Sequence, residues 1–276
     1  MKIKLLSLLM CSICNMSAYA KAEPETDYDF FKKREAGGFL TVGLSSFYQG
    51  GIYKDHKTYL HAHINAAYYF ENGLFVEHPG HSNKFNASFS AGYNLFNTPN
   101  WEFDLMVSTA HGDLNFYAGA DSFEKRSTSY LGLRASGEVA GIQVQAVLAP
   151  ATKNKDNSGG SYASLSLAKD WQYKNWRFFG SVGAQYRSEK MLDYYYGVPQ
   201  NAQNFTTYNA KGGANLITKF GFSKPLLEDW LLEGNISYTK YTNSIIDSPY
   251  TQFILQRNTD RKDYGSHVGL SLSYVF

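Results

Sequence analysis

From Lys262 to Phe276 the chain sorts its side chains by parity. The even positions are Tyr264, Ser266, Val268, Leu270, Leu272, Tyr274 and Phe276, and the odd ones include Gly265, His267, Gly269, Ser271 and Ser273. A strand turns successive side chains to opposite faces, so a period of two over this length specifies a two-faced β-strand. One face is aliphatic in the middle and aromatic towards both ends. That is the plan of a strand crossing a membrane, where hydrocarbon lies between two interfaces. The other face is small and polar and needs water or polar partners.

The same parity sorting recurs along the chain. It marks segments at Leu40 to Tyr48, Leu60 to Phe70, Leu74 to Val76, Phe85 to Leu95, Trp101 to Val107 and Leu131 to Val139. It continues at Ile142 to Leu148, Ala163 to Trp171, Trp176 to Tyr186, Leu216 to Phe222 and Trp230 to Tyr238. Lys169 interrupts one apolar face and must snorkel to an interface. Long connections are expected near 50–57, 77–83, 112–126, 150–159, 188–208 and 243–262, with short turns between them. Outer-membrane barrels alternate long external loops with short periplasmic turns in this way. The prolines are expected outside the strands, with Pro150 in a loop or at a strand end and Pro225 in a turn. The pattern predicts an all-β fold: an antiparallel, up-and-down transmembrane β-barrel of twelve strands, or ten if the short third segment does not pair. With twelve, both termini lie in the periplasm.

The N-terminus sets the compartment. Lys2 and Lys4 precede an apolar run, and Ala18-Tyr19-Ala20 is a small-residue cleavage site, so residues 1–20 read as a secretory signal peptide. Residues 21–36 read as a charged periplasmic tail or a lumen-entering segment, and 37–276 as the barrel. Cys11 and Cys14 leave with the leader, and the mature chain then has no thiol chemistry. Of 26 Lys and Arg residues two lie in the leader, which leaves 24 against 24 Asp and Glu. That balance excludes a nucleic-acid partner. Mean hydropathy is −0.37, compatible with a barrel because the inward face dilutes every strand.

The inward face carries charge. Glu102, Asp104, Arg134, Glu138, Asp170, Arg177, Arg187, Lys211, Lys219 and Glu233 are expected in the lumen. A lumen of this size either pairs such charges or lines a wet path with them. The loops at 188–208 and 243–262 hold Tyr194 to Tyr196, Phe205, Ile245, Ile246 and Phe253, enough apolar surface to fold inward as a plug or to present a contact face. His56, His61, His63, His78 and His81 cluster in sequence, with His267 on the closing strand, yet no carboxylate or cysteine stands at a metal-binding spacing, so no metal or cofactor is expected. His81-Ser82-Asn83 are adjacent in a loop and do not form a nucleophile with its base. No catalytic residue is expected.

The closing Tyr274-Val275-Phe276 resembles the terminal signature that the barrel assembly machinery reads in Gram-negative outer-membrane proteins, with Tyr274 and Phe276 as the signal. Together with Tyr194-Tyr195-Tyr196-Gly197-Val198, the run Tyr208 to Asn215, Trp230, Tyr238 and Asp247-Ser248-Pro249, it resembles the MipA/OmpV family of MltA-interacting outer-membrane proteins. The resemblance implies a non-enzymatic barrel in the outer membrane, among its phospholipid and lipopolysaccharide. It also implies a scaffold that brings a lytic transglycosylase to a penicillin-binding protein. Other members resemble adhesins or permeability factors, and a narrow channel for small polar solutes is the alternative that the charged lumen raises.

Overall fold

The computed structural model describes residues 34–52, 58–79, 83–85, 88–154, 159–256 and 262–276. The expected signal peptide (residues 1–20), residues 21–33 of the expected tail, His56, His81 and Ser82 lie outside the described residues. Among the described residues fourteen strands run in chain order. They are β1 (Gly37–Gly51), β2 (Thr58–Tyr69), β3 (Leu74–His78), β4 (Ser90–Asn97), β5 (Trp101–His111), β6 (Leu114–Phe116) and β7 (Phe123–Lys125). Then come β8 (Thr128–Val139), β9 (Ile142–Lys153), β10 (Tyr162–Tyr173), β11 (Trp176–Arg187), β12 (Gly213–Pro225), β13 (Trp230–Lys240) and β14 (Tyr264–Val275). Twelve of them close an antiparallel barrel, each beside its chain neighbour, with β14 returning to β1. β6 and β7 form a separate hairpin. Three short helices, α1 (Glu189–Tyr196), α2 (Asn243–Ile246) and α3 (Pro249–Gln256), lie in the last two long loops. No helix among the described residues is long and apolar enough to cross a membrane.

The parity read from the sequence is the parity of the wall. Leu44, Leu60, Ile64, Leu133, Leu148, Leu165, Val182, Leu216, Ile236 and Leu270 all point outward and stay exposed, as a lipid-facing band requires. Short turns tie one end. Ala140 and Gly141 form a two-residue turn with both φ positive, at 52° and 76°, and its twist matches the flanking strands. The short third segment does pair, on both sides, so the ring has twelve strands.

Two local expectations are corrected. Pro150 lies inside β9, where the register with β8 shifts between Leu131 and Leu133. A bulge leaves a residue outside the ladder, which is where a missing N–H does no harm. The segment from Phe85 was expected in the fourth strand, but β4 starts only at Ser90. β3 has five residues and its pairing with β4 ends at Glu77 and Ser90, so the chain before Ser90 has no ladder to join. Residues 83–85 turn into the lumen instead.

Candidate functional site

The lumen has an acidic and a basic wall. On the acidic wall, inward positions of β3, β5 and β8 bring Glu77, Asp104 and Arg134 together. Arg134 gives both terminal nitrogens to Glu77, at 2.7 and 3.1 Å, and its Nε to Asp104 Oδ2 at 2.9 Å. Planar forks of this kind are the stronger charge-assisted hydrogen bonds. Tyr69 and Ser90 donate to Glu77, each at 3.0 Å, and Asn94 donates to Asp104 at 2.9 Å. Arg34, just before β1, reaches in from the short-turn end to pair with Glu102 and, at 3.5 Å, with Asp104. Its guanidinium lies 4.5 Å from the Tyr69 ring centroid. Three carboxylates thus meet two guanidiniums.

The basic wall is built from β10, β11 and β12 with the inward segment. Lys84 and Arg177 share Asp170 Oδ2, at 2.5 and 2.7 Å, and Gln143 donates to the same oxygen at 3.2 Å. Ser181 donates to the Lys84 carbonyl at 2.7 Å. The Lys219 ammonium donates to the carbonyls of Asn83 and Phe85, at 3.1 and 2.5 Å. Asn83 itself accepts the Phe85 N–H at 2.8 Å, a side-chain turn that holds the bend. Three side chains from the far wall, Asp170, Ser181 and Lys219, therefore pin three residues across the lumen.

The long-loop end is roofed. Met191, Leu192 and Tyr195 of α1 are buried against the inward-facing Ala110, Tyr130, Ala149 and Tyr162 of the barrel. Tyr195 Oη lies 2.8 Å from Thr128 Oγ1, and its ring stacks on His111 at 3.7 Å. A second cluster joins the β6–β7 hairpin to the loops carrying α1 and α3, with Phe116 packed on Phe123, Phe205, Tyr250 and Phe253. Ser248 Oγ donates to the Tyr196 carbonyl at 2.7 Å. Between the clusters remains a cavity of about 20 Å³ lined by Ile52, Leu114, Tyr196 and Tyr250 among others. Asp121 fastens the edge of the roof. Its carboxylate accepts the backbone N–H groups of Gln203 and Asn204, both at 2.9 Å. Chiefly the Gln203 N–H holds that carboxyl below the usual range, while burial pushes the Tyr250 phenol up.

Of the residues expected in the lumen, Glu102, Asp104, Arg134, Asp170, Arg177 and Lys219 meet in these two clusters. Glu138 faces inward from β8, opposite Gln143. Arg187 sits under the roof and donates to the Ala110 carbonyl at 2.8 Å, and Glu233 lies on β13 opposite Ser271. Lys211 is a correction. It precedes β12, its side chain is 70 % exposed, and it pairs with Glu189 on the outer loop. His61 and His63 lie on β2 and His267 on β14, and the Phe47 ring lies 5.8 Å from that of His61 and 5.0 Å from that of His267. His63 Nε2 is 3.1 Å from Ser273 Oγ, and His267 Nδ1 is 3.1 Å from Asn235 Oδ1. Among the described residues no three His, Cys, Asp or Glu side chains converge as a metal site would require. Tyr274 donates to Asp229 at 3.0 Å, and the Phe276 N–H to the Leu40 carbonyl at 3.0 Å. The sequence reading missed Glu77 and Lys84, and had Arg34 only within residues 21–36. Glu77 had a signal, since it shares a parity with Phe75 against the outward Leu74 and Val76.

Comparison with solved structures finds barrels of similar extent. The NanC porin has a TM-score of 0.44 and 9% identity, over 84% of this chain and 98% of that one. OmpT of Vibrio cholerae has a TM-score of 0.44 and 7% identity, over 90% of this chain and all of that one. The KdgM porin has a TM-score of 0.41 and 8% identity, over 86% of this chain and 99% of that one. No curated protein matches the chain. A family model, described as MltA-interacting protein MipA, matches residues 42–276, from the first strand to the last residue. This closed barrel of the outer membrane therefore belongs to the MipA family.

Proposed function

We propose that this barrel works as a protein-contact element of the outer membrane, without catalysis or conduction of its own. The observation that carries the reading is the obstructed lumen. Residues 83–85 cross it, paired charges line both walls, and α1 caps one end. A polar path needs solvated, available charge, whereas all these charges but Lys219 have an ionic partner, and Lys219 is held by the carbonyls of the crossing segment. The family's description points to the partner class, a lytic transglycosylase.

Contact with such enzymes falls to the short-turn end and the residues before Arg34. The turn between β12 and β13 is the richest surface there, with Leu227 69 % exposed beside Leu226. A stable interface buries roughly 1,200–2,000 Å² in total, so the partner must also cover neighbouring turns. Two measurements test the reading. In planar bilayers the purified protein is expected to give no stable steps, and an immobilised barrel is expected to retain a lytic transglycosylase. Retention should drop when residues 21–33 are removed or when Leu227 becomes Asp. Voltage-tolerant steps altered by Arg177→Glu would instead establish the channel.

A further inference from the structure

The charge on the basic wall does not close. Lys84, Arg177 and Lys219 face two carboxylates, Asp170, which Lys84 and Arg177 share, and Glu138, which acts on Lys84. Among the described residues Lys219 has only the two backbone carbonyls as partners. An ammonium has three N–H donors, so one is left over. A buried charge compensated only by neutral dipoles is costly, and a nearby opposite charge relieves it.

Beside Lys219 lies a cavity of about 20 Å³, lined by Lys84, Gln145, Ser164, Ser166, Gly183 and Lys219 among others. One water-sized guest needs roughly 10–15 Å³, so the space suits a single small ion and excludes a sugar or phosphate. Three hydroxyls, two amides and two ammonium groups line it, and no carboxylate does. Gly183 keeps it open. It faces Ser166 across the β10–β11 ladder, and a Cβ there would come within 2.5 Å of Ser166 Oγ.

We propose that this cavity is a binding site for one halide-sized anion, held by the spare Lys219 donor and the Ser164 and Ser166 hydroxyls. Chloride fits the size and charge. The anion would bring the basic wall closer to neutrality and strengthen the hold on residues 83–85, because it lies against Lys84 and Lys219 together. The inference does not depend on any protein partner.

Bromide is the probe. In crystals of the full chain grown with bromide as the sole halide, an anomalous peak is expected within about 3.5 Å of Lys219 Nζ, inside the cavity. Peaks at the surface alone, an adventitious ion only, would overturn the proposal, as would a water in the cavity. In solution, replacing gluconate by chloride at constant ionic strength should raise the unfolding temperature of the wild type. Lys219→Met and Gly183→Ala should abolish that chloride-specific rise, and Lys224→Met, on the lipid side, should keep it. Gly183→Ala leaves the ammonium in place and decides the matter even if Lys219→Met does not fold. A rise that persists in Gly183→Ala would refute the site.

Discussion

Arg134 holds Glu77 and Asp104 at once, and its side chain is only 8 % exposed. Removing it leaves Arg34 alone to face Glu77, Glu102 and Asp104 in a closed space. Arg134→Met is expected to cost about 3–5 kcal/mol, the range for breaking a buried pair from one side. Urea unfolding in detergent, followed by tryptophan fluorescence, would measure it, and a loss within about 0.5 kcal/mol would reject the argument. Arg134→Lys should recover only part, because an ammonium cannot make the planar fork. Arg134 and Asp104 were legible from parity alone, since both stand inward on neighbouring strands. Lys211 was misread because it shares the parity of Asn215 and Lys219, and parity loses its meaning once the strand ends at Gly213. Arg34 was legible only as part of residues 21–36, for which entry into the lumen was one of two readings. Its place depends on a carboxylate cluster assembled from β3 and β5, and nothing in its local sequence encodes that.

At the scale of strands, the outward band is the constraint. Val182 stands outward in the middle of β11, between the inward Ser181 and Gly183. Val182→Arg is expected to cost about 2–4 kcal/mol, as charge on the lipid face does at the bilayer midplane. Folding into lipid vesicles, scored against urea, reads that cost, and an unchanged midpoint would mean that β11 does not face lipid. The strands were the most legible part of the molecule, because period two is set by backbone geometry. The segment at Phe85 shows the limit. Its alternation has the form of a strand, but period two says which faces a segment has and not whether a neighbour exists to pair with it. The five-residue β3 withholds that neighbour. The contacts that hold residues 83–85 inward come from β10 to β12, and no local pattern announces them.

For the whole molecule, loop length sets sidedness. The loops carrying α1, α2 and α3 should face the cell exterior and the 226–229 turn the periplasm. Single cysteines at Asn201 and Asp229, treated with an impermeant thiol label on whole cells, should react at Asn201 and stay silent at Asp229. The opposite result would invert the barrel. The number of strands and the alternation of connections could be read in advance. The roof could not, because packing Phe116 on Tyr250 and Phe253 joins loops that only the closed ring brings together.

That ring is closed by eleven successive pairs between β1 and β14, the first and last strands of the chain. Joining the two ends is slow, because a long loop must be searched before its contacts reward the search. Opening is hard for a different reason. No strand can leave singly without baring two unpaired edges at once. The folded barrel is therefore trapped behind a barrier, and its lifetime is a matter of rate more than of equilibrium. In cold dodecyl sulfate it should migrate as a compact folded species and shift to its full apparent mass only after boiling. A single band at one position, heated or not, would mean that the seam does not hold.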